Sequence, residues 1–243
     1  MGRVLEPEVM EGDEEAVAYD ELDRRRGNII FQGFAEAAVR MGVAEGRVLD
    51  VGTGSGRVAI RLARLAPAFQ IEAIDMSRSM LDLARMNASA SGATNLTFSV
   101  GNARELPFDD QSFDLVVSHQ LLHQLADPLV ALQEIRRVTK RDGAILVRDI
   151  RRLPEPWMTI ALPIWCAGYS RKLREQTCAS FRAGLTVSEF RRLALDSRIE
   201  GAGVRTNWLT HQTIARYSKP FRVVDVRAAS DPLWRRVARA PYS

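Results

Sequence analysis

Apolar positions along this chain fall into two alternating textures. Five short runs are largely apolar: Val48-Leu49-Asp50-Val51, the stretch from Ile71 to Ile74, Leu96 to Val100, Phe113 to Ser118, and Ala144 to Val147. Between them, apolar side chains recur every three or four residues, as in Val58, Ala59, Leu62 and Ala63, then Met80, Leu81 and Ala84, then Leu129, Leu132, Ile135 and Val138. The runs predict buried strands, and the spaced positions predict helices that bury one stripe each. Strand alternating with helix over five strands predicts a parallel sheet with right-handed crossovers. An earlier spaced set, from Ile29, Ile30, Phe31 and Phe34 to Ala37, Ala38 and Val39, predicts a leading helix ending at Gly42. It is expected to pack near the mouth of the pocket that the sheet forms.

The rhythm breaks after the fifth run. Residues 151–185 are punctuated by proline and aromatic side chains, in Leu153-Pro154-Glu155-Pro156-Trp157 and Leu162-Pro163-Ile164-Trp165. Such a stretch reads as an insertion over the sheet edge. Thr186-Val187-Ser188-Glu189 has capping-box spacing and predicts a helix through Phe190, Leu193 and Leu195. Val204 to Leu209 and Thr213 to Tyr217 predict a closing hairpin around Thr210-His211-Gln212. The expected organisation is an N-terminal helical cap over 1–44, a main domain over 45–218 with 151–185 as its lid, and a basic tail over 219–243.

Where the strands stop matters more than the strands themselves. The first runs into Gly52-Thr53-Gly54-Ser55-Gly56 and restarts as a helix, which brings backbone N–H groups and a helix N-terminus to one point. A dinucleotide fingerprint would place its third glycine at position 57, which is Arg57. The pattern is instead D-x-G-x-G-x-G, starting at Asp50. The second strand ends on Asp75, 19 residues past Gly56, near the offset at which a carboxylate accepts both hydroxyls of a ribose. Gly52, Asp75, Asn102, Ser118, His119 and Asp149 all fall at C-terminal strand ends, where such sheets bind ligands.

Composition narrows this little. The net charge is +4, but residues 1–147 hold 16 basic against 22 acidic side chains, a net of −6, while residues 148–243 hold 18 against 8, a net of +10. The basic half suits an acidic partner, the acidic N-terminal segment of its own chain, or solvent. No aromatic-rich RNA motif or zinc knuckle accompanies the charge, so nucleic acid is not the expected partner. Cys166 and Cys178 have no metal-ligand spacing and read as reduced thiols of a cytoplasmic protein. No apolar run approaches the roughly 20 residues of a membrane span, and the first residues lack a signal-peptide profile.

Several motifs then stand in one order: Val48 to Gly56, Ile74-Asp75-Met76-Ser77, Gly101-Asn102-Ala103, Phe113 to Ser118, and Leu122-His123 through Asp127-Pro128 to Val138. Together they resemble the class I S-adenosylmethionine (SAM)-dependent methyltransferases, nearest the subgroup of ubiquinone/menaquinone C-methyltransferases. The resemblance covers residues 45–150 well. Lys140-Arg141-Asp142-Gly143 departs from the usual Lys-Pro-Gly-Gly turn before strand five. The resemblance implies an α/β fold with a Rossmann-like, doubly wound, mostly parallel seven-stranded sheet, an antiparallel C-terminal strand and a lid after strand five. It implies SAM as cofactor, S-adenosylhomocysteine as product, and no metal. By position, Asp50, Gly52, Thr53, Gly54 and Gly56 would meet the methionine portion of SAM and Asp75 the ribose. Met76, Asn102 and Ala103 would meet the adenine, and Ser118 and His119 the sulfonium end.

Methyl transfer from a sulfonium is an in-line displacement, and a base is required only where the acceptor must lose a proton. His119 and Asp149 are the catalytic candidates. For His119 the alternative is shaping the cofactor pocket. For Asp149 it is pairing with Arg148 or Arg151. His123 and His211 read as packed or loop histidines. In the lid, Trp157, Trp165, Tyr169 and Phe181 wall either an acceptor or a small core of their own, and Arg182 or Arg152 suits a carboxylate or phosphate. Tyr19 is either a cover for the cofactor or a surface aromatic. The expected reaction is methylation of a small-molecule acceptor by a chain that pairs as a homodimer. The alternatives are an RNA or protein methyltransferase and a non-catalytic SAM-binding subunit.

Overall fold

The computed structural model describes residues 3–5, 28–167, 169, 171–206 and 210–219. Tyr19 and all but the first residue of the basic tail lie outside them. Seven strands form one sheet: β1 Gly46–Val51, β2 Phe69–Asp75, β3 Leu96–Val100, β4 Phe113–His119, β5 Thr139–Ile150, β6 Gly203–Thr206 and β7 His211–Arg216. Their spatial order is β3-β2-β1-β4-β5-β7-β6. The first five are parallel, and β7 runs antiparallel to both β5 and β6. The chain therefore reverses direction in the sheet beside β1, and the crevice above β1 and β4 is the topological switch point.

Alternate residues of the central strands feed two separate cores. Val48, Leu115, Val117, Ala144 and Leu146 face α1 (Asn28–Val39) and α2 (Arg57–Leu65), joining Phe34, Ala38, Val58 and Leu62. Leu49, Val51, Val116, Ile145 and Val147 face the other way, against Leu132, Ile135 and Val138 of α4 (Pro128–Val138) and Phe190 of α7 (Val187–Asp196). Both faces being covered is why the strands read as unbroken apolar runs. The helix starts are set locally. The Ser77 hydroxyl accepts from Met80 N–H ahead of α3 (Arg78–Ser91), Asp127 accepts from Leu129 N–H ahead of Pro128, and Thr186 and Glu189 form the capping box.

Two details depart from the sequence reading. β5 begins at Thr139, which pairs with Phe113, and residues 140–143 bulge out before pairing resumes at Ala144 with Leu115, so the stretch expected as a turn lies inside the strand. Leu195 faces solvent. In the insertion, two helices, α5 (Glu155–Trp165) and α6 (Arg171–Ala183), surround a small core of Ile150, Leu162, Cys166 and Phe181, one of the two arrangements expected there.

Candidate active site

The carboxyl ends of β1 to β4 border one cleft. Its floor is the Gly52–Ser55 loop, its walls include Asp75, Met76, Ala103 and His119, and Phe31 of α1 closes one side. The leading helix thus reaches the pocket mouth, as expected. Gly52 and Thr53 N–H both donate to the Ile74 carbonyl at 2.9 Å, which fastens the loop to β2. Gly52 has φ 72°, and a Cβ there would come within 2.8 Å of the Leu121 side chain. Gly56, at φ 80°, starts α2 so close to α3 and β3 that a Cβ would lie 3.0 Å from Ala84 and 3.2 Å from Phe98. Only glycine serves at either place.

Two carboxylates hold this loop from different sides. Asp50 lies beneath it, buried, accepting from the Thr53 hydroxyl at 2.8 Å. Burial pushes its carboxyl up to about 7 despite the Thr53 bond. Asp75 stands on the cleft wall. One oxygen accepts from Gly54 N–H and the other from Ser77 N–H, both at 2.9 Å. Burial raises its pKa, and its backbone hydrogen bonds to Ser77, Gly54 and Met76 oppose the rise. Each oxygen keeps accepting capacity toward the cleft.

The remaining predicted residues divide. Met76 and Ala103 line the cleft. Asn102 turns into its own bend, accepting from Arg104 N–H at 2.9 Å, and its neighbour Gly101 takes its place on the wall. Ser118 is fully buried and donates to the Val51 carbonyl at 2.9 Å, tying the end of β4 to the end of β1.

His119 lines the cleft inside an aromatic box. Its ring centroid is 4.6 Å from Phe34 and 5.1 Å from Phe31, and His211 stacks 6.2 Å away. Neither ring nitrogen has a hydrogen-bond partner. Burial, then the cationic forms of His211, Arg148 and His123, hold its pKa well below the usual histidine value. A base of near-neutral pKa is therefore not what this environment makes. Ser55 Oγ, also on the cleft, is a second buried polar atom without a partner. Buried polar atoms left open at one cleft fit a ligand that satisfies them. A polar ligand suits them, the glycine floor and the Asp75 oxygens together.

Asp149 does not line the cleft and pairs with neither Arg148 nor Arg151. It is buried, 2.8 Å from His123 Nδ1, and it accepts from the N–H groups of Leu122 at 2.5 Å, Ile150 at 2.6 Å and His123 at 3.3 Å. It locks the turn whose Leu121, Gln124 and Leu125 border the cleft. Arg3, which no sequence signal marks, finishes that lock. Its Nη2 donates to the carbonyls of Leu122, His123 and Leu125 at 3.0, 2.8 and 2.9 Å, and its Nε donates to Ala183 at 2.7 Å. His211 begins β7 rather than sitting in a loop. It is buried 2.8 Å from the Thr210 hydroxyl and 3.0 Å from the Gln120 amide, and its pKa falls to about 4, chiefly through burial.

The lid candidates stay away from the cleft wall. Phe181 packs in the lid's own core, with Tyr169 against it. Trp157 is 63% exposed on α5. Arg182 lines a second cavity at the lid base. The Trp165 side chain lies outside the described residues. Among the described residues no three His, Cys, Asp or Glu side chains group as a metal site, and no helix is long and apolar enough to cross a membrane.

Comparison with known proteins bears on the family and the fold. Residues 43–191 match the family model described as "Methyltransferase domain". An uncharacterised methyltransferase, YcgJ of Bacillus subtilis, is 35% identical over 106 residues, which cover 44% of this chain and 41% of that one. A ubiquinone/menaquinone biosynthesis C-methyltransferase of Citrifermentans bemidjiense is 36% identical over 138 residues, 55% of this chain and 59% of that one. The matched stretch spans about half the length of these curated relatives. In fold, the chain is similar to a putative SAM-dependent methyltransferase from Methanococcus maripaludis, with TM-score 0.68 at 21% identity, covering 92% of this chain and all of that one.

Proposed function

The chain belongs to the methyltransferase-domain family, among the class I SAM-dependent methyltransferases near the ubiquinone/menaquinone C-methyltransferase group, and we propose that it transfers the methyl group of SAM to a small-molecule acceptor in the cytoplasm. One observation carries this reading: the glycine floor, the Asp75 carboxylate and the open polar atoms of Ser55 and His119 surround a single cleft at the topological switch point.

SAM, when bound, supplies a methyl group carried on a sulfonium. Every other part of the work falls to the chain. Gly52 and Gly54 let the ligand reach the backbone. Asp75 accepts the ribose hydroxyls with the capacity its two backbone N–H bonds leave, and Met76 and Ala103 flank the adenine. Asp50 through Thr53, Ser118 through Val51, and Asp149 through the 121–125 turn act as positioning residues. Phe31, Phe34 and His119 exclude water beside the reacting centre, where a dry wall favours a step in which positive charge disappears. His119, its pKa held below the usual histidine value chiefly by burial, serves as a hydrogen-bonding wall rather than as a strong base. Rate then comes mainly from holding acceptor and donor in line.

Relatives named for quinone methylation favour a small acceptor over RNA or protein. Two measurements test the proposal. Calorimetry should show SAM and S-adenosylhomocysteine binding, weakened on the order of 100-fold by Asp75→Ala, which removes a charged acceptor worth about 1.5–3 kcal/mol. Methyl-labelled SAM with fractionated cell extract should label small metabolites. Label in RNA or protein, or binding with no transfer, would overturn the small-molecule reading.

A further inference from the structure

The second cavity lies where β5 gives way to the lid and α7 begins. Four guanidinium groups line it: Arg151 and Arg152 just past β5, Arg182 in the last turn of α6, and Arg191 of α7. Arg152 is pinned by Glu189, its Nη2 donating to the two carboxylate oxygens at 2.8 and 2.9 Å, while its buried Nη1 has no partner. Among the described residues neither Arg182 nor Arg191 has an ion-pair partner. Among the described residues that line it, Glu155 is the one carboxylate beside four arginines, of which Arg152 pairs with Glu189. Ser188 adds a hydroxyl, and Val4, Leu153 and Met158 form an apolar side.

We propose that this groove binds the anionic group of the methyl acceptor, a phosphate or carboxylate on a partly apolar body. The inference rests on the acceptor reading above and adds the acceptor's chemical class. A solvated arginine surface spreads its charges apart. Here four line one concavity, and two of them, Arg182 and Arg191, have no ion-pair partner among the described residues, so a bound anion would neutralise charge there. Planar forks suit the oxygens of phosphate or carboxylate, and the orphaned Nη1 of Arg152 is a donor with no other use.

The groove also sits beside the cleft. Val4 lines the groove, and Arg3 next to it bonds both to Ala183, adjacent to Arg182, and to the carbonyls of the turn that borders the cleft. Arg3 and Val4 thus join the wall of the groove to the turn that borders the cleft, and the apolar body of a bound anion has Val4 and Leu153 to lie on.

The test uses the full chain loaded with S-adenosylhomocysteine, titrated with inorganic phosphate and with benzoate by calorimetry. The comparison is wild type against Arg182→Ala/Arg191→Ala, both surface positions. Wild type should bind at least one probe, at least tenfold more tightly than the double variant, with S-adenosylhomocysteine affinity unchanged within twofold. Equal probe affinity in the two proteins, or no binding of either probe to wild type, overturns the groove. Failure to bind S-adenosylhomocysteine would instead count against the methyltransferase reading, and the probe titration on the unloaded chain would still decide the groove. In the labelled-extract experiment the methylated product should be retained on an anion exchanger. Release by phosphatase identifies a phosphate ester, retention after phosphatase identifies a carboxylate, and a neutral labelled product overturns the proposal.

Discussion

The two sides of the sheet prepare their cavities by different means. On the β1–β2 side the floor of the cleft is backbone: a loop whose N–H groups are fixed by one carbonyl and one carboxylate, from residues within 24 positions of each other. On the β5–β7 side the groove and the turn above it are made of long side chains drawn from the whole chain, with Arg3 reaching residues 119 to 180 positions away. A backbone site needs a short motif and little else. A side-chain site needs the finished fold before any of its residues has meaning.

The sharpest way to break this contrast is Asp149→Ala. It removes the shared acceptor of three backbone N–H groups and the partner of His123 in a buried site, so unfolding in urea should show a loss of about 3–5 kcal/mol. A loss below about 1 kcal/mol would mean the turn holds without it. Next comes acid. His211 titrates at about 4 when folded and near 6.5 when unfolded. The unfolded chain therefore binds the proton first, and the stability present above pH 6.5 falls by about 3 kcal/mol on going to pH 4. His119 acts in the same direction. Asp50, raised to about 7, acts oppositely: the folded chain holds that proton more tightly, so its contribution is lost as pH rises from about 4 toward 7. Urea midpoints from pH 4 to 8 should show a shallower acid limb in His211→Gln and a shallower neutral-side decline in Asp50→Asn. A smaller effect belongs to Gly52→Ala. A non-glycine residue at φ 72° costs about 1–2 kcal/mol and meets Leu121, so SAM affinity by calorimetry should fall about tenfold or more. Smallest of all, Trp157→Ser on the exposed face of α5 should change stability by under about 0.5 kcal/mol and leave SAM affinity alone.

Legibility in the sequence follows the same division. The strands β2, β3 and β4 end within a residue of where the apolar runs place them, and Thr186 caps its helix as its spacing predicts. These are local signals. Asp75, Met76 and Ala103 reach the cleft because strand ends converge wherever the sheet is parallel. Asp50, Asn102 and Ser118 stand one layer back, and which layer a strand-end residue occupies is decided by packing on the next element. Asp149 and His123 give no sign of each other across 26 residues, and His119 gives none of the aromatic box that depresses its pKa. The groove was hinted at only by Arg182 and Arg152. Arg151, Arg191 and Val4 join them through tertiary structure alone.

The Arg3 contacts carry a consequence for the order in which this protein folds. The carbonyls that Arg3 binds belong to residues 122, 123, 125 and 183, far along the chain from it. Those contacts close a loop of 180 residues, so they form after β1 to β5 and the lid helices exist and not before. The segment around Arg3 is thus among the last to find its place, and the wall it builds beside the groove is completed only once the rest of the sheet has folded.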